Sequence, residues 1–362
     1  MSDTDPRLAA GVAAGIISSA QAEALDRLWS QGPAPAGSLA TPRTGDEPFA
    51  FFRGFRDVFL ALGIIIVVAG LMILASDSLS FFSKPQAEPI DIGIFAAFAA
   101  ALFGFGQVAT RMLRMPLASL VVATGFSLAF SGAFLGLLSL AGVIALRSDG
   151  PQIAIGAGFA ASALLYYAVY RLPVALALVA GGIAFAAGGV LKAVLPGDLS
   201  MAFPAAFPAL FLTLGVAVFA LAMRFDLSDP ERATRRSENA FWLHLVAAPL
   251  IVHGLIGLTG LSVPETLFDI AVIFAFVLGL GLLALLIDRR AFLVSALFYL
   301  GGAISVAING LGLEDGTQLA LTFLVLGAGV VALALGWHPL RRALLSLLPD
   351  PVALALPRVQ EG

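Results

Sequence analysis

The chain has 362 residues, of which 60% are hydrophobic and only 12% charged, and its mean hydropathy is +0.99. A soluble domain carries about 25% charged residues, so this composition excludes an ordinary soluble fold. The absence of cysteine excludes thiol catalysis, disulfides and cysteine-based metal sites, and the net charge of −3 says little about partners.

The first residues differ from the rest. Leu8, Val12 and Ile16 follow a four-residue period from Pro6, which suits the first turn of a helix ending at Gly15. Ser18 then precedes Gln21 at capping-box spacing, and Ala22, Leu25 and Trp29 continue an apolar stripe. Residues 1–30 therefore read as a short cytoplasmic helical segment, either a docking element for a cytoplasmic protein or an appendage that aids packing or insertion. Residues 31–49, rich in Pro, Gly, Ser and Thr, read as a flexible linker. No basic region followed by an apolar core precedes them, so span one is expected to act as an uncleaved signal anchor.

From residue 50 to 337 apolar runs long enough to cross a roughly 30 Å hydrocarbon core recur. In lipid every backbone amide must be paired internally, so such runs become helices, and the alternating pattern of a membrane barrel is absent. The expectation is an all-α, polytopic helical membrane protein of about ten transmembrane helices. The spans are Asp57–Ala75, Ile90–Thr110, Pro116–Val143, Ile153–Tyr170, Pro173–Val194, Phe203–Met223, Ala240–Gly260, Thr266–Ile287, Ala291–Leu311 and Thr317–Trp337. The third is long and is expected to tilt, or to break near Gly132 and Gly136. Residues 338–362 form the tail, where Leu340, Leu344, Leu347 and Leu348 with Arg341 and Arg342 suggest an amphipathic helix on the membrane surface.

Charge orients the spans. Only Lys84, Arg147 and Lys192 lie in the odd-numbered loops, so seventeen of the twenty basic residues fall on the other side. Short loops rich in Lys and Arg stay in the cytoplasm, which places both termini there and favours an even number of spans. The same rule accounts for the arginine-rich loops without nucleic-acid binding. Trp242 and Trp337 fall at expected cytoplasmic span ends, where amphipathic rings favour the headgroup layer, and Tyr166, Tyr167 and Tyr170 read as a similar girdle or as a stacking site.

Ionisable groups inside spans are costly and so mark candidate sites. His244 sits one turn inside the cytoplasmic edge and is expected at the interface or hydrogen-bonded to a neighbouring helix. His253 lies deeper in the same span, Asp269 near the outer end of span eight, and Asn309 at similar depth in span nine. If these spans are neighbours, His253, Asp269 and Asn309 form an intramembrane polar cluster. Equally, His253 can bond a backbone carbonyl and Asp269 can cap its own helix. Gln107 reads as inter-helix glue, and the small-residue pairs Gly132/Gly136 and Gly158/Ser162 and the series Ala180/Ala184/Gly188 as close-packing faces. No metal-ligand spacing, phosphate loop or catalytic triad pattern stands out, so no cofactor and no metal is expected.

Two segments carry a family resemblance: AGVAAGIISSAQAEAL at Ala10–Leu25 and RRSENAFWLHLVAAPLIVHGLIG at Arg235–Gly257. They resemble a family of uncharacterised bacterial multi-span membrane proteins that carry a short helical preface. The resemblance implies a bacterial inner-membrane location and brings no catalytic residues. The function expected is that of an integral inner-membrane protein without enzymatic activity, a scaffold or sensor. A ten-helix small-molecule transporter is the alternative; two inverted five-helix halves would support it, but no internal repeat is visible.

Overall fold

A computed structural model of the chain describes residues 6–15, 18–30, 55–74, 84–146, 148, 150–195, 203–229, 232, 234–261, 266–289, 291–309, 312, 314–349 and 356. Two compact units divide the chain, Met1–Asp46 and Glu47–Gly362. Among the described residues every regular element is a helix.

The first unit holds α1 (Pro6–Ala13) and α2 (Ser19–Ser30), which pack on each other. Gly15 closes the turn after α1 with φ of 67°. The capping box forms as its spacing predicts: Ser18 N–H donates to Gln21 Oε1 at 2.8 Å and Gln21 N–H to Ser18 Oγ at 3.2 Å. The linker expected at 31–49 lies outside the described residues.

The second unit comprises α3 (Phe55–Leu74), α4 (Pro89–Gly106), α5 (Pro116–Leu140), α6 (Gly150–Tyr170), α7 (Val174–Val194), α8 (Ala206–Leu227), α9 (Arg235–Thr259), α10 (Leu267–Ile287), α11 (Ala291–Asn309) and α12 (Asp315–Leu345). A helix thus lies at each expected span. Among the described residues, eight helices are long and apolar enough to cross a membrane. The chain is a multi-pass helical membrane protein. The third span neither breaks nor bends out of helical geometry at Gly132 or Gly136: α5 is one helix of 25 residues. The last helix continues through Trp337 and Pro339 to Leu345, so the first residues of the expected tail extend a span.

Each half of the bundle has its own way of packing. In the first, α4 packs on α5, α5 on α6 and α6 on α7, with α3 against α5. A Cβ added to Gly156 of α6 would lie 2.5 Å from the Ala186 backbone nitrogen, and one on Gly182 of α7 would lie 2.7 Å from the Ala160 nitrogen. Two backbones in contact need glycine at both crossings, because lipid offers no hydrophobic drive and association rests on close packing. The stripes picked out in sequence also pack: Gly132 against the Phe95 ring and Gly158 against Phe134. In the second half α8 lies along α9, α9 packs on α11, and α10 and α12 both meet α11; α7 joins the halves through α8 and α9.

An aromatic core fills the first half. Phe103, Phe126, Tyr166 and Tyr170 stack with ring centroids 4.4–6.2 Å apart. Tyr166 and Tyr170 are buried. They face the bundle interior, so neither belongs to an interfacial girdle. After Gly106 the chain of α4 widens into a π-helical segment, Gln107–Met112. Gln107 N–H turns to the Gly104 carbonyl, and the Tyr170 hydroxyl donates to the Phe103 carbonyl at 2.5 Å. Tyr166 Oη meets Thr110 Oγ1 at 3.0 Å. The tyrosine hydroxyls thus serve the irregular turn of α4, where the ladder changes register.

Candidate functional site

The turns α4–α5, α6–α7, α8–α9 and α10–α11, with the C-terminal half of α12, converge on one end of the bundle. This basic end holds two arrangements of opposite character, one closed and one open.

The closed arrangement centres on Asp226 near the end of α8. Arg289, in the α10–α11 turn, is fully buried and grips it with two bonds, Nε to Oδ2 at 3.1 Å and Nη2 to Oδ1. His244 of α9, also fully buried, places Nε2 2.9 Å from Asp226 Oδ2; a carboxylate only accepts, so that nitrogen carries the proton. Arg289 Nη2 further donates to the Ser237 carbonyl at 3.2 Å. Beside this group, Asp288 accepts from Arg232 Nη1 at 3.1 Å and from Trp337 Nε1 at 2.8 Å, while Arg341 Nε donates to the Leu285 carbonyl at 3.0 Å. Asp288 adopts a left-handed conformation, φ of 55°, that ends α10 and aims its carboxylate across the bundle.

Five formal charges therefore lie at one end of four helices. Each carboxylate is held by a guanidinium, Asp226 by Arg289 and Asp288 by Arg232, which offsets the cost of burying the charges. The chemistry available here is structural. Ser237, His244 and Asp226 occur together, but the Ser237 hydroxyl faces Arg289 Nη2 at 3.4 Å and is not poised on the imidazole. None of Asp226, His244 and Arg289 lines either cleft at this end. Trp337 is 1% exposed, so it belongs to this network and does not anchor the interface as expected from its position at a span end.

The open arrangement is a cleft of about 700 Å³ between the α4–α5, α6–α7 and α8–α9 turns. Arg111, Arg114, Arg171 and Arg235 line it, with Glu238 as the acid at its edge and Phe241 and Trp242 in its wall. Arg111 is held in place: Nη2 donates to the Val169 carbonyl at 2.7 Å, Nη1 to Gln107 Oε1 at 3.2 Å, and the guanidinium lies 5.3 Å from the Tyr170 ring centre. Gln107 therefore orients an arginine and is not bonded across helices in that contact. Arg114 and Arg171 have φ of 50° and 54°, a region that glycine occupies freely and that costs other residues roughly 1–2 kcal/mol. A second cleft of about 540 Å³ adjoins the first, sharing Arg171 and Arg235 and reaching Tyr167 and Asn239. Asn239 donates Nδ2–H to Tyr167 Oη at 3.0 Å. Its Oδ1 is buried and has no hydrogen-bond partner among the described residues.

The polar trio read from the sequence lies toward the other end. His253 Nδ1 is 2.8 Å from Tyr299 Oη of α11. Asp269 closes a capping box at the start of α10: Thr266 N–H donates to its Oδ2 at 2.9 Å, and its own N–H donates to Thr266 Oγ1 at 3.2 Å. Asn309 ends α11, exposed, and its carbonyl accepts from Gly312 N–H at 3.0 Å. The structure thus gives His253 a tyrosine partner and Asp269 a capping role. Asp226 and Arg289 fall just outside the expected spans, where sequence marks Arg289 as ordinary loop charge and gives Asp226 no distinguishing pattern of its own. The available signal was the presence of Asp226, Asp229 and Asp288 in turns otherwise dominated by arginine.

At the basic end Asp57 of α3 is buried and caps a different helix, accepting from Leu117 N–H at 3.1 Å and Ala118 N–H at 2.9 Å at the start of α5. Among the described residues no group of three or more His, Asp or Glu side chains converges to hold a metal ion. No family model matches this chain, and neither the curated proteins nor the solved structures provide a match.

Proposed function

We propose that this chain is a ten-span protein of the bacterial inner membrane with both termini in the cytoplasm, and that it acts without catalysis, as a sensor or scaffold. One observation carries the reading. The buried ionisable groups Asp226, His244 and Arg289 are bonded to one another, beyond the two clefts, while Arg111, Arg114, Arg171 and Arg235 line one cleft. A carrier driven by protons needs a titratable group on a wetted path through the bilayer; here the charged residues brace helices instead. In this reading residues 1–30 contact a cytoplasmic protein, the bilayer surrounds α3–α12, and the family resemblance at Ala10–Leu25 and Arg235–Gly257 agrees with the location.

The missing cysteines make the test direct. Ser148 and Ser228 are exposed in turns assigned to opposite sides, and Ile273 is buried in α10. A membrane-impermeant maleimide should label Ser148→Cys in intact cells and Ser228→Cys only after permeabilisation. Ile273→Cys should stay unlabelled in both. Reversed labelling of the two serine sites would overturn the orientation, and labelling at Ile273→Cys would reveal a hydrated path and favour transport.

A further inference from the structure

We propose that the arginine-lined cleft is a binding site for the phosphate group of an anionic ligand, held by Arg114, Arg171 and Arg235, with Arg111 as a fixed neighbouring cation. This gives the proposed sensor its ligand class, and so rests on that reading. Four arginines line one cleft of about 700 Å³, against a single lining acid, Glu238. Guanidinium presents a planar fork of donors that matches phosphate oxygens two at a time, which an ammonium does not.

Three features separate this cleft from ordinary basic loops. The rule that keeps arginine in cytoplasmic loops is indifferent to where in a loop the arginine sits. Here residues from three separate turns meet. Second, Arg114 and Arg171 occupy left-handed backbone positions after a helix, where glycine is the favoured residue. Glycine would avoid that strain; arginine instead keeps there a cation that the helix C-terminus favours and that also lines the cleft. Third, Arg111 is oriented before any ligand arrives, by the Val169 carbonyl, Gln107 and the Tyr170 ring. Preorganised donors lose less freedom on binding.

The cleft lies where α5, α7 and α9 begin and where the π segment and α6 end, so the helix dipoles largely offset one another there and the guanidinium groups supply the positive charge. Asp57 already takes the Leu117 and Ala118 amides of α5, which leaves the guanidinium groups as the principal ligands. The adjoining cleft shares Arg171 and Arg235 and contains the buried, unpartnered amide oxygen of Asn239. That oxygen suits a hydroxyl on the alcohol portion of a phosphate ester. Two sources supply such a group: the headgroup of an acidic phospholipid, which lies at the level of these helix ends, or a soluble phosphate compound. Phe241 and Trp242 in the wall would suit the apolar side of a lipid.

The test uses the full chain purified in neutral detergent, followed by thermal unfolding and by native mass spectrometry to count bound lipid. Phosphatidylglycerol, phosphatidylcholine and inorganic pyrophosphate are the probes. A response to phosphatidylglycerol alone identifies a lipid phosphate; a response to pyrophosphate identifies a soluble one; a response to both means the phosphate is read without its headgroup. In each case the triple variant Arg114→Gln/Arg171→Gln/Arg235→Gln should bind at least about tenfold more weakly, since charge-assisted hydrogen bonds are lost. The control Arg224→Gln/Arg342→Gln, at exposed arginines outside the cleft, should bind as the parent does. Arg171→Gly separates binding from folding: glycine suits φ of 54°, so the melting temperature without ligand should hold or rise while binding falls. The proposal fails if neither phosphatidylglycerol nor pyrophosphate binds in preference to phosphatidylcholine. It fails too if the triple variant binds within twofold of the parent. Binding in detergent is blind to membrane sidedness, so this result and the cysteine labelling can each fail alone.

Discussion

The two halves of the bundle solve the same problem with different chemistry. In α3–α7 the buried polar groups Asp57 and Tyr170 bond to backbone: Asp57 caps α5, and the Tyr170 hydroxyl serves a carbonyl of α4. Aromatic rings and glycine crossings fill the rest. In α8–α12 the buried polar groups bond largely to each other, as Asp226 does with Arg289 and His244, and Asp288 with Arg232 and Trp337. The first solution is one bond at a time and forgiving. The second is collective, because removing one partner strands a charge that the others had neutralised.

That contrast sets an order of sensitivity. The largest effect is expected at Asp226. Asp226→Ala leaves Arg289 buried without its carboxylate and should destabilise the bundle by about 3–5 kcal/mol, read as a lowered melting temperature in detergent. Replacing both partners, as in Asp226→Leu/Arg289→Met, should recover much of that loss. A single variant as stable as the parent would show that the network is not collective. Next comes Gly156→Ala, whose new methyl would meet the Ala186 backbone and force α6 from α7 at a cost of about 1–3 kcal/mol. Gly181→Ala, one residue from the crossing glycine but facing open space, should be neutral or slightly stabilising. If the two variants melt alike, close packing does not hold this helix pair.

Smaller again is Tyr170→Phe, which keeps the ring and removes one hydrogen bond to the Phe103 carbonyl. A loss of about 1 kcal/mol is expected, with hydrogen exchange quickening in the π segment of α4. The smallest effect belongs to Lys84, which lies before α4 and donates to both Asp91 oxygens, at 2.9 and 3.1 Å. Its hydrogen bond to the Asp91 carboxylate raises the Lys84 ammonium above its ordinary range. The contribution is therefore complete below the ordinary lysine value and vanishes as pH climbs through the raised one. Lys84→Met should differ little from the parent at neutral pH, and the difference should close in strongly alkaline buffer. A gap that widens with pH would reverse the assignment.

The sequence exposed helices more readily than neighbours. Capping at Ser18 and Gln21, the helix end at Gly15 and the positions of the long apolar helices were legible, because each depends on residues close in the chain. The site was legible only in part. Arg114, Arg171 and Arg235 stood out as loop charge, but nothing local said that three loops share one cleft. The Asp226–Arg289 pair joins residues 63 positions apart, and each looked like an end-of-span charge. Tyr166 and Tyr170 looked interfacial for the same reason: periodicity places them at a helix end without saying which neighbour covers them.

By itself the sequence determined the solvent. Twenty-residue apolar runs have no stable place but lipid, and lipid leaves the backbone no choice but helix. The distribution of arginine likewise set an expectation of sidedness before any fold was known. Only the tertiary structure decided which charges would be spent on each other and which would remain open. That choice depends on which helix ends meet, and helices in a membrane meet through surface shape and small residues, at Gly156 and Gly182 or at Gly215 and Gly254, with no hydropathy signal to announce it.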